Sequence, residues 1–198
     1  MGDVWRTGLM VGAVLLVAGC GRAEAPRPTP GPTAPVVLDQ ERISRVLPGP
    51  DAVPVEWERS GGVRLEGGPG PDGRLAYGHV GYRAPDLDGV VGFTVRTYAG
   101  VPGAVAGLRE TEGQYGEATT PVSLGTADEA FSRSGCLGRS ELCSATVVAR
   151  AGSAVVSVNI NSDTGVAPDP GILDSVARMM VERVRQVQRG EAPSVRAG

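Results

Sequence analysis

The stretch ATVVARAGSAVVSVNI, residues 145–160, has the pattern of a β-hairpin. Two apolar arms, residues 145–150 and 153–161, flank Ala151-Gly152, where the chain can reverse direction. In the second arm Ala154, Val156, Val158 and Ile160 alternate with Val155, Ser157, Asn159 and Asn161. A period of two with one apolar side is typical of a half-buried antiparallel strand. The hairpin therefore predicts an antiparallel sheet with this segment near its centre.

Outside the hairpin, the sequence predicts several shorter strands. Residues 90–98 alternate clearly, whereas residues 75–83 are interrupted by Gly78 and Gly81. Pro54 places the first predicted strand at a sheet edge, because proline cannot donate to a neighbouring strand. The predicted strands are residues 53–59, 75–83, 90–98, 119–124 and 129–134 in addition to the two hairpin arms. The Gly- and Pro-rich residues 60–73 are expected to form a loop.

Three segments predict helices. Asp39 can cap a short helix that ends at Val46, and Pro102 can open a second helix that continues to Tyr115. The third segment, residues 170–188, places apolar side chains on one stripe and charged side chains opposite, which is the pattern of an amphipathic helix. The stripe consists of Leu173, Val176, Ala177, Met180, Val184 and Val187. The order of elements predicts an α+β fold, in which an antiparallel sheet packs against helices mainly on one face and a long amphipathic helix ends the domain.

The N-terminus carries one long apolar run, residues 9–18, which is about half the length that a membrane-spanning helix needs. Its length is typical of a secretory signal peptide. The run ends in Val17-Ala18-Gly19-Cys20, which resembles the lipobox of bacterial lipoproteins. The resemblance implies that residues 1–19 are removed and that membrane lipid is attached to Cys20, which becomes the new N-terminus. An ordinary secretory signal with an incidental cysteine is the alternative.

Cysteine usage supports this interpretation. The chain has three cysteines, and an odd thiol in an exported protein requires an explanation. If Cys20 carries lipid, Cys136 and Cys143 remain as a pair, which we expect to form a structural disulfide. Closing so short a loop stabilises the fold by about 2.5 kcal/mol. A redox-active pair or a zinc site is the alternative, but the spacing is not that of a C-x-x-C motif, and a zinc site would need further ligands although His79 is the only histidine.

The chain divides into four predicted segments: a lipoprotein signal peptide at residues 1–19, a tether at 20–35, a single extracytoplasmic domain at 36–189 and a flexible tail at 190–198. The tether is rich in proline and favours an extended conformation that can reach on the order of 40 Å. We therefore expect a protein anchored by lipid at the cell membrane, on its extracytoplasmic face.

Composition narrows the function. Lys and Arg total 19, all of them arginine, and Asp and Glu total 22, which gives a net charge of −3. The arginines are scattered rather than arranged in a basic stripe, so nucleic-acid binding is not expected. Complete replacement of lysine by arginine is typical of a high-GC genome. No arrangement of residues indicates a metal, a cofactor or a catalytic centre, so we expect a protein that is not an enzyme.

Tyr77 and His79 lie on the predicted strand YGHVGY, residues 77–82. A histidine that acts as a general base requires a nucleophile and an orienting carboxylate, and no nucleophile motif accompanies this one. These two residues are either ordinary strand residues or part of a ligand-binding surface, because a glycine-rich strand lets a ligand approach the backbone.

The segment ADEAFSRSG, residues 127–135, is followed by the cysteine loop, the hairpin and the last helix. Asp128, Glu129 and Phe131, with Arg150 and Gly152 at the bend of the hairpin, are similar to the extracellular sensor domain of mycobacterial serine/threonine kinases of the PknH type. The resemblance covers residues 126–188 and implies an α/β sandwich with a groove for an unidentified ligand. The kinase sensor domain has two disulfides, whereas this chain can form one. The related architecture of Mog1/PsbP-like lipoproteins is compatible with the same order of elements.

Together these observations predict a non-enzymatic binding or sensor-like module of the cell envelope, whose partner is a small envelope molecule or a protein. The alternative is an interaction subunit that docks on another envelope protein and has no small-molecule pocket. An apolar cavity of several hundred Å³ would favour the first, and a flat apolar patch larger than about 400 Å² would favour the second.

Overall fold

The computed structural model describes residues 36–137 and 142–197. They form an eight-stranded antiparallel sheet with three α-helices, which confirms the α+β prediction. The strands follow the order β1-β3-β4-β8-β7-β6-β5, and β2 also pairs with β3. Their bounds are β1 Glu58–Arg59, β2 Arg64–Gly67, β3 Arg74–Ala84, β4 Gly89–Tyr98, β5 Thr120–Pro121, β6 Glu129–Cys136, β7 Cys143–Ala151 and β8 Ala154–Ser162. The helices are α1 Gln40–Val46, α2 Val101–Tyr115 and α3 Pro170–Gln188.

The predicted hairpin is β7–β8, in the central part of the sheet. Ala151 pairs with Ala154 next to the turn, and Gly152 has φ 60°, a left-handed conformation that glycine adopts without strain. Val156, Val158 and Ile160 are buried, as their alternation predicts.

Helices α1 and α3 cover one face of the sheet and form the main core with it. Helix α3 begins after Asp169, whose carboxylate accepts a hydrogen bond from the Gly171 N–H at 2.7 Å. The whole predicted apolar stripe of this helix is buried against the sheet. The long C-terminal amphipathic helix is thus confirmed.

Helix α2 packs on the opposite face, where a second, smaller core forms. Its buried residues are Tyr98, Ala104, Leu108, Phe131, Val148 and Val155. A Cβ atom at Gly107 would collide with the Tyr98 hydroxyl, so the helix can lie against this ring only because residue 107 is glycine. The sheet is therefore covered fully by helices on one face and partly on the other.

Two predictions for residues 53–73 were wrong. Of the strand expected at residues 53–59, only Glu58–Arg59 pairs in the sheet, because the chain turns before it: the Trp57 N–H donates to the Pro54 carbonyl. The expected loop at residues 60–73 contains β2, whose Glu66 pairs with Tyr77. Its side chains are exposed or half-buried, so β2 has no alternating apolar pattern and is held by backbone pairing with β3.

Residues 190–197, within the segment predicted as a tail, make specific contacts with the domain. The Ala197 N–H donates to the Ala52 carbonyl at 2.9 Å, and the Ser194 N–H donates to the Gln186 side chain at 3.0 Å. Val195 packs against the main core. Small polar residues concealed these contacts in the sequence, because they are made mainly by the backbone.

Across the described residues, every helix is too short or too polar to cross a bilayer.

Candidate functional site

Tyr77 and His79 lie side by side on the face of β3 that points away from the main core, and both are half-buried. The Tyr77 ring lies beneath two guanidinium groups, with Arg74 Cζ 5.0 Å and Arg64 Cζ 5.9 Å from its centroid. Glu66 forms ion pairs with both arginines. Tyr77 is thus held in a packed, charge-balanced arrangement at the margin of the sheet.

His79 faces a neighbouring strand rather than an acid. Its Nδ1 lies 3.2 Å from Thr94 Oγ1 on β4, which is hydrogen-bonding distance. Burial and the positive charge of Arg64 lower the pKa of His79 below its ordinary value of 6.5, so the ring is neutral at pH 7. No carboxylate orients His79 within the described part of the chain, so His79 and Thr94 have no third member of a catalytic triad there.

Next to His79 the sheet presents a surface of uncharged polar groups, which we call the polar face. It consists of His79, Thr94, Thr146, Ser157 and Asn159, with Gly81 and Gly92. The register sets these residues next to one another across β3, β4, β8 and β7. The structure therefore places the predicted pair, Tyr77 and His79, at one margin of a wider polar surface.

A groove lies on the opposite side of the sheet, where the N-terminal half of α3 meets β6 and β7. Its volume is about 380 Å³, within the range of small-ligand sites. Apolar side chains dominate its lining, and the polar groups come from Ser132, Ser134, Arg133 and Asp174. The apolar lining consists of Val122, Ala145, Val147, Ala167, Pro168, Pro170 and Leu173. We call this feature the groove.

Two local features keep the groove open. Ala145 is a small residue on β7, so the sheet does not fill the space beneath α3. The loop between β8 and α3 forms the other wall with Ala167 and Pro168, and its Gly165 carbonyl lies 3.9 Å from Cys136 Sγ. The end of β6 and this loop therefore meet at one side of the groove.

Cys136 and Cys143 form the predicted disulfide. The two residues are direct partners across β6 and β7, with a Cα–Cα distance of 4.0 Å, so the bridge closes the β6–β7 turn. Cys143 is fully buried, whereas Cys136 is exposed. Cys20 lies outside the described residues.

Residues of the sensor-domain motif meet at the other end of the sheet. The Asp128 carboxylate accepts hydrogen bonds from the Gly152 N–H at 2.7 Å, from Arg150 Nη1 at 2.8 Å and from Arg185 Nη2. These bonds join the residue that precedes β6, the hairpin turn and the last turn of α3. Because the carboxylate is satisfied by groups of the protein itself, the cluster is a structural clamp rather than a ligand site.

Among the described residues, no group of three or more His, Cys, Asp or Glu side chains could hold a metal ion.

The groove could not be predicted from the sequence. Its lining residues come from segments separated by up to about fifty positions, and the patterns in those segments do not show that they meet around a groove. The available signals were the prolines at 168 and 170, which end the loop at the helix start, and the alanine at 145. Neither signal shows which segment of the chain lies across the groove from it.

The arrangement defines an α+β domain with a helix–sheet groove on one face and an open polar surface on the other. A solved structure with a similar fold is the extracellular domain of PknH from Mycobacterium tuberculosis. The TM-score is 0.56 at 12% sequence identity, and the alignment covers 76% of this chain and 98% of that domain. At this identity the likeness concerns the fold. No family model and no curated protein matches the chain.

Proposed function

We propose that this protein is a non-enzymatic binding module, anchored by lipid outside the cytoplasm, and that the groove is its ligand site. The observation that carries the proposal is the 380 Å³ groove with its apolar lining. The fold supports it, since the similar solved structure is an extracellular domain. Among the residues that the structure describes, His79 has no carboxylate partner, which gives no support to a hydrolytic role.

The chemistry of the groove indicates the kind of ligand. Val122, Val147 and Leu173 favour an apolar body, and the hydroxyls of Ser132 and Ser134 can bond one polar group at the rim. The charge of Asp174 is balanced by Arg178 at 2.7 Å. We infer a small, mainly apolar molecule that carries a hydrogen-bonding group at one end.

The proposed organisation places the signal peptide at residues 1–19, acylated Cys20 at the mature N-terminus and the proline-rich tether at 20–35. The lipobox-like sequence supports the anchor, and α1, which starts at Gln40, marks where the folded domain follows the tether. One acyl chain binds a membrane only marginally, whereas two or more hold it durably.

We expect Cys20→Ala to abolish labelling by an alkyne analogue of palmitate and to release the protein from the membrane fraction. The physical reason is that the acyl chains are the membrane attachment in this proposal. Metabolic labelling followed by membrane fractionation measures both effects, with Cys136→Ala as the matched control that keeps the label. Unchanged labelling of the Cys20→Ala protein would show that the anchor is elsewhere.

We expect Ala167→Phe to fill the groove and to weaken binding of N-phenyl-1-naphthylamine, a small neutral fluorescent probe, about tenfold. Residue 167 is exposed on the loop and lines the groove, so the ring can enter without altering the core. The matched control is Val166→Phe, one residue earlier, where the side chain is 68% exposed and does not line the groove. Equal affinities for the two variants, measured by fluorescence titration, would contradict the groove as the site.

A second candidate function is docking on another envelope protein. Leu142 and Val166 are exposed large apolar residues at the end of the sheet next to the groove. If docking is the function, a photoreactive residue placed at position 142 would form site-specific crosslinks to the partner in intact cells. Val166→Asp would remove these crosslinks, whereas Ala167→Phe would not.

A further inference from the structure

Helix α2 is attached to the sheet in a different way from α1 and α3. The Gln188 amide of α3 donates to the Ala151 carbonyl on β7 at 2.9 Å, and Arg183 of α3 donates to the Val46 carbonyl of α1 at 2.8 Å. By contrast, within the described residues no hydrogen bond or ion pair joins a residue of α2 to a strand. The position of α2 on the sheet therefore depends on side-chain packing.

The packing beneath α2 is limited to the second, smaller core. The helix contributes the buried apolar side chains Ala104 and Leu108 to it. At the C-terminal end of the helix, the Tyr115 ring lies edge-on to Phe131 with the centroids 6.1 Å apart, and Arg133 Cζ lies 5.3 Å from the Tyr115 centroid. Because the apolar area buried here is small, separating α2 from the sheet costs much less than separating α3 from it.

A buried polar group beneath α2 has no partner. The Tyr98 side chain is 1% exposed, and its hydroxyl makes no hydrogen bond within the described residues. A Cβ atom at Gly107 would overlap this hydroxyl, so the group points at the backbone of the helix. The buried Thr111 hydroxyl of α2 donates instead to the Gly107 carbonyl of the same helix at 2.7 Å. An unpartnered buried hydroxyl is costly, and this cost is removed when the helix leaves and water reaches Tyr98.

The sequence of α2 makes it a weak helix. Gly103, Gly107 and Gly113 lie inside it, and glycine is the least favourable helix residue apart from proline. The N-cap is Gly100, which provides no side-chain hydrogen bond, and no acidic residue in the first turn or basic residue in the last turn stabilises the helix dipole. A helix of 15 residues is only marginally stable in water without packing. We therefore expect α2 to unfold when it leaves the sheet.

We propose that α2 is a lid, which opens by local unfolding while the rest of the domain stays folded. Opening exposes Tyr98, Phe131, Val148 and Val155. This apolar surface is continuous with the polar face, because Val148 pairs with Ser157 across β7 and β8. The open form thus presents a larger surface, apolar at one end and polar at the other, that the closed form hides. It lies on the opposite face of the sheet from the groove, so the inference goes beyond the proposed function and does not depend on it.

The test is native-state hydrogen–deuterium exchange of the full-length protein at increasing urea concentrations, followed by NMR at single amides. After correction for intrinsic rates, we expect the amides of Leu108 and Thr111 to exchange at least about a hundredfold faster than those of Val156 and Val158 on β8. We also expect a weaker dependence on urea for the α2 amides, because opening of the lid exposes less surface than global unfolding. Equal rates and equal urea dependence for α2 and β8 would overturn the proposal, since α2 would then open only when the domain unfolds.

A glycine-to-alanine variant tests whether the helix unfolds in this opening. Gly113 is exposed, and a Cβ atom there has no neighbour within 4 Å, so alanine strengthens the helix without altering its contacts. We expect Gly113→Ala to slow exchange at Leu108 and Thr111 about three- to fivefold. The matched control is Gly62→Ala, which is equally exposed and free of neighbours but lies in the loop before β2, and it should leave these two amides unchanged. Exchange of the α2 amides at the wild-type rate in Gly113→Ala would contradict the lid.

Discussion

Replacing Arg183 by methionine is expected to lower the free energy of unfolding by about 3–4 kcal/mol, a large part of the stability of a domain of this size. This side chain is buried and donates to four carbonyl oxygens. Its Nε donates to Val46 at 2.8 Å, Nη2 to Arg45 at 3.1 Å and to Leu47 at 3.3 Å, and Nη1 to Val195 at 3.2 Å. Two of these carbonyls belong to the last turn of α1 and a third to its C-cap, Leu47, where the carbonyls lack intrahelical donors.

Methionine keeps most of the apolar volume and removes every hydrogen-bond donor. The decrease in the free energy of unfolding therefore reports the lost hydrogen bonds rather than the cost of a cavity. Burial lowers the pKa of Arg183, but the guanidinium stays charged, and no acid pairs with it directly among the described residues. Urea unfolding followed by circular dichroism gives the change. Arg178→Met on the same helix is the control, because its exposed pair with Asp174 contributes less than about 0.5 kcal/mol. A loss below about 1 kcal/mol for Arg183→Met would show that water replaces the guanidinium at these carbonyls.

Replacing Asp128 by alanine is expected to cost about 2 kcal/mol at pH 7. The three hydrogen bonds that it accepts are charge-assisted, but its side chain is 35% exposed, so solvent screening reduces their value. Its removal leaves the Gly152 N–H without its partner and separates the hairpin turn from α3. Glu191→Ala, which removes an exposed ion pair with Arg189, is the control and should leave the free energy of unfolding essentially unchanged.

The same carboxylate predicts a pH dependence. Burial alone would raise its pKa, but the Gly152 N–H and the guanidinium groups of Arg185 and Arg150 outweigh burial and lower the pKa below the ordinary 3.8. A carboxyl with a lowered folded-state pKa contributes its full stability above the unfolded-state value and loses it as the pH falls through the folded-state value. The difference in stability between wild type and Asp128→Ala should therefore be constant above about pH 5 and shrink below about pH 4. A difference that is the same at pH 3 and pH 7 would contradict this account.

The parts of the fold that were predictable are those in which a local pattern decides the structure. Alternation in residues 153–161 and the stripe of α3 each bury one side of a regular element, so the periodicity in the sequence is the periodicity of burial. The disulfide was predictable because the odd-cysteine argument left Cys136 one partner.

The remaining features depend on contacts between distant segments. Strand β2 forms because β3 offers it backbone partners, and its own residues carry no alternation. Arg183 contacts carbonyls 136 to 138 positions away, and such a contact has no local signal. The polar face was visible only at Tyr77 and His79, since its other members lie on β4, β8 and β7 and meet through the register.

The place where the chain enters the domain decides how a pulling force would reach it. The Leu38 carbonyl accepts a hydrogen bond from Thr97 Oγ1, at the hairpin-turn end of the sheet, and α1 follows directly. Tension applied ahead of Val36 would load this hydrogen bond and then α1, and Arg183 would pass the load to α3. A domain that is pulled from its N-terminal side would in this way yield first at its entry helix, α1.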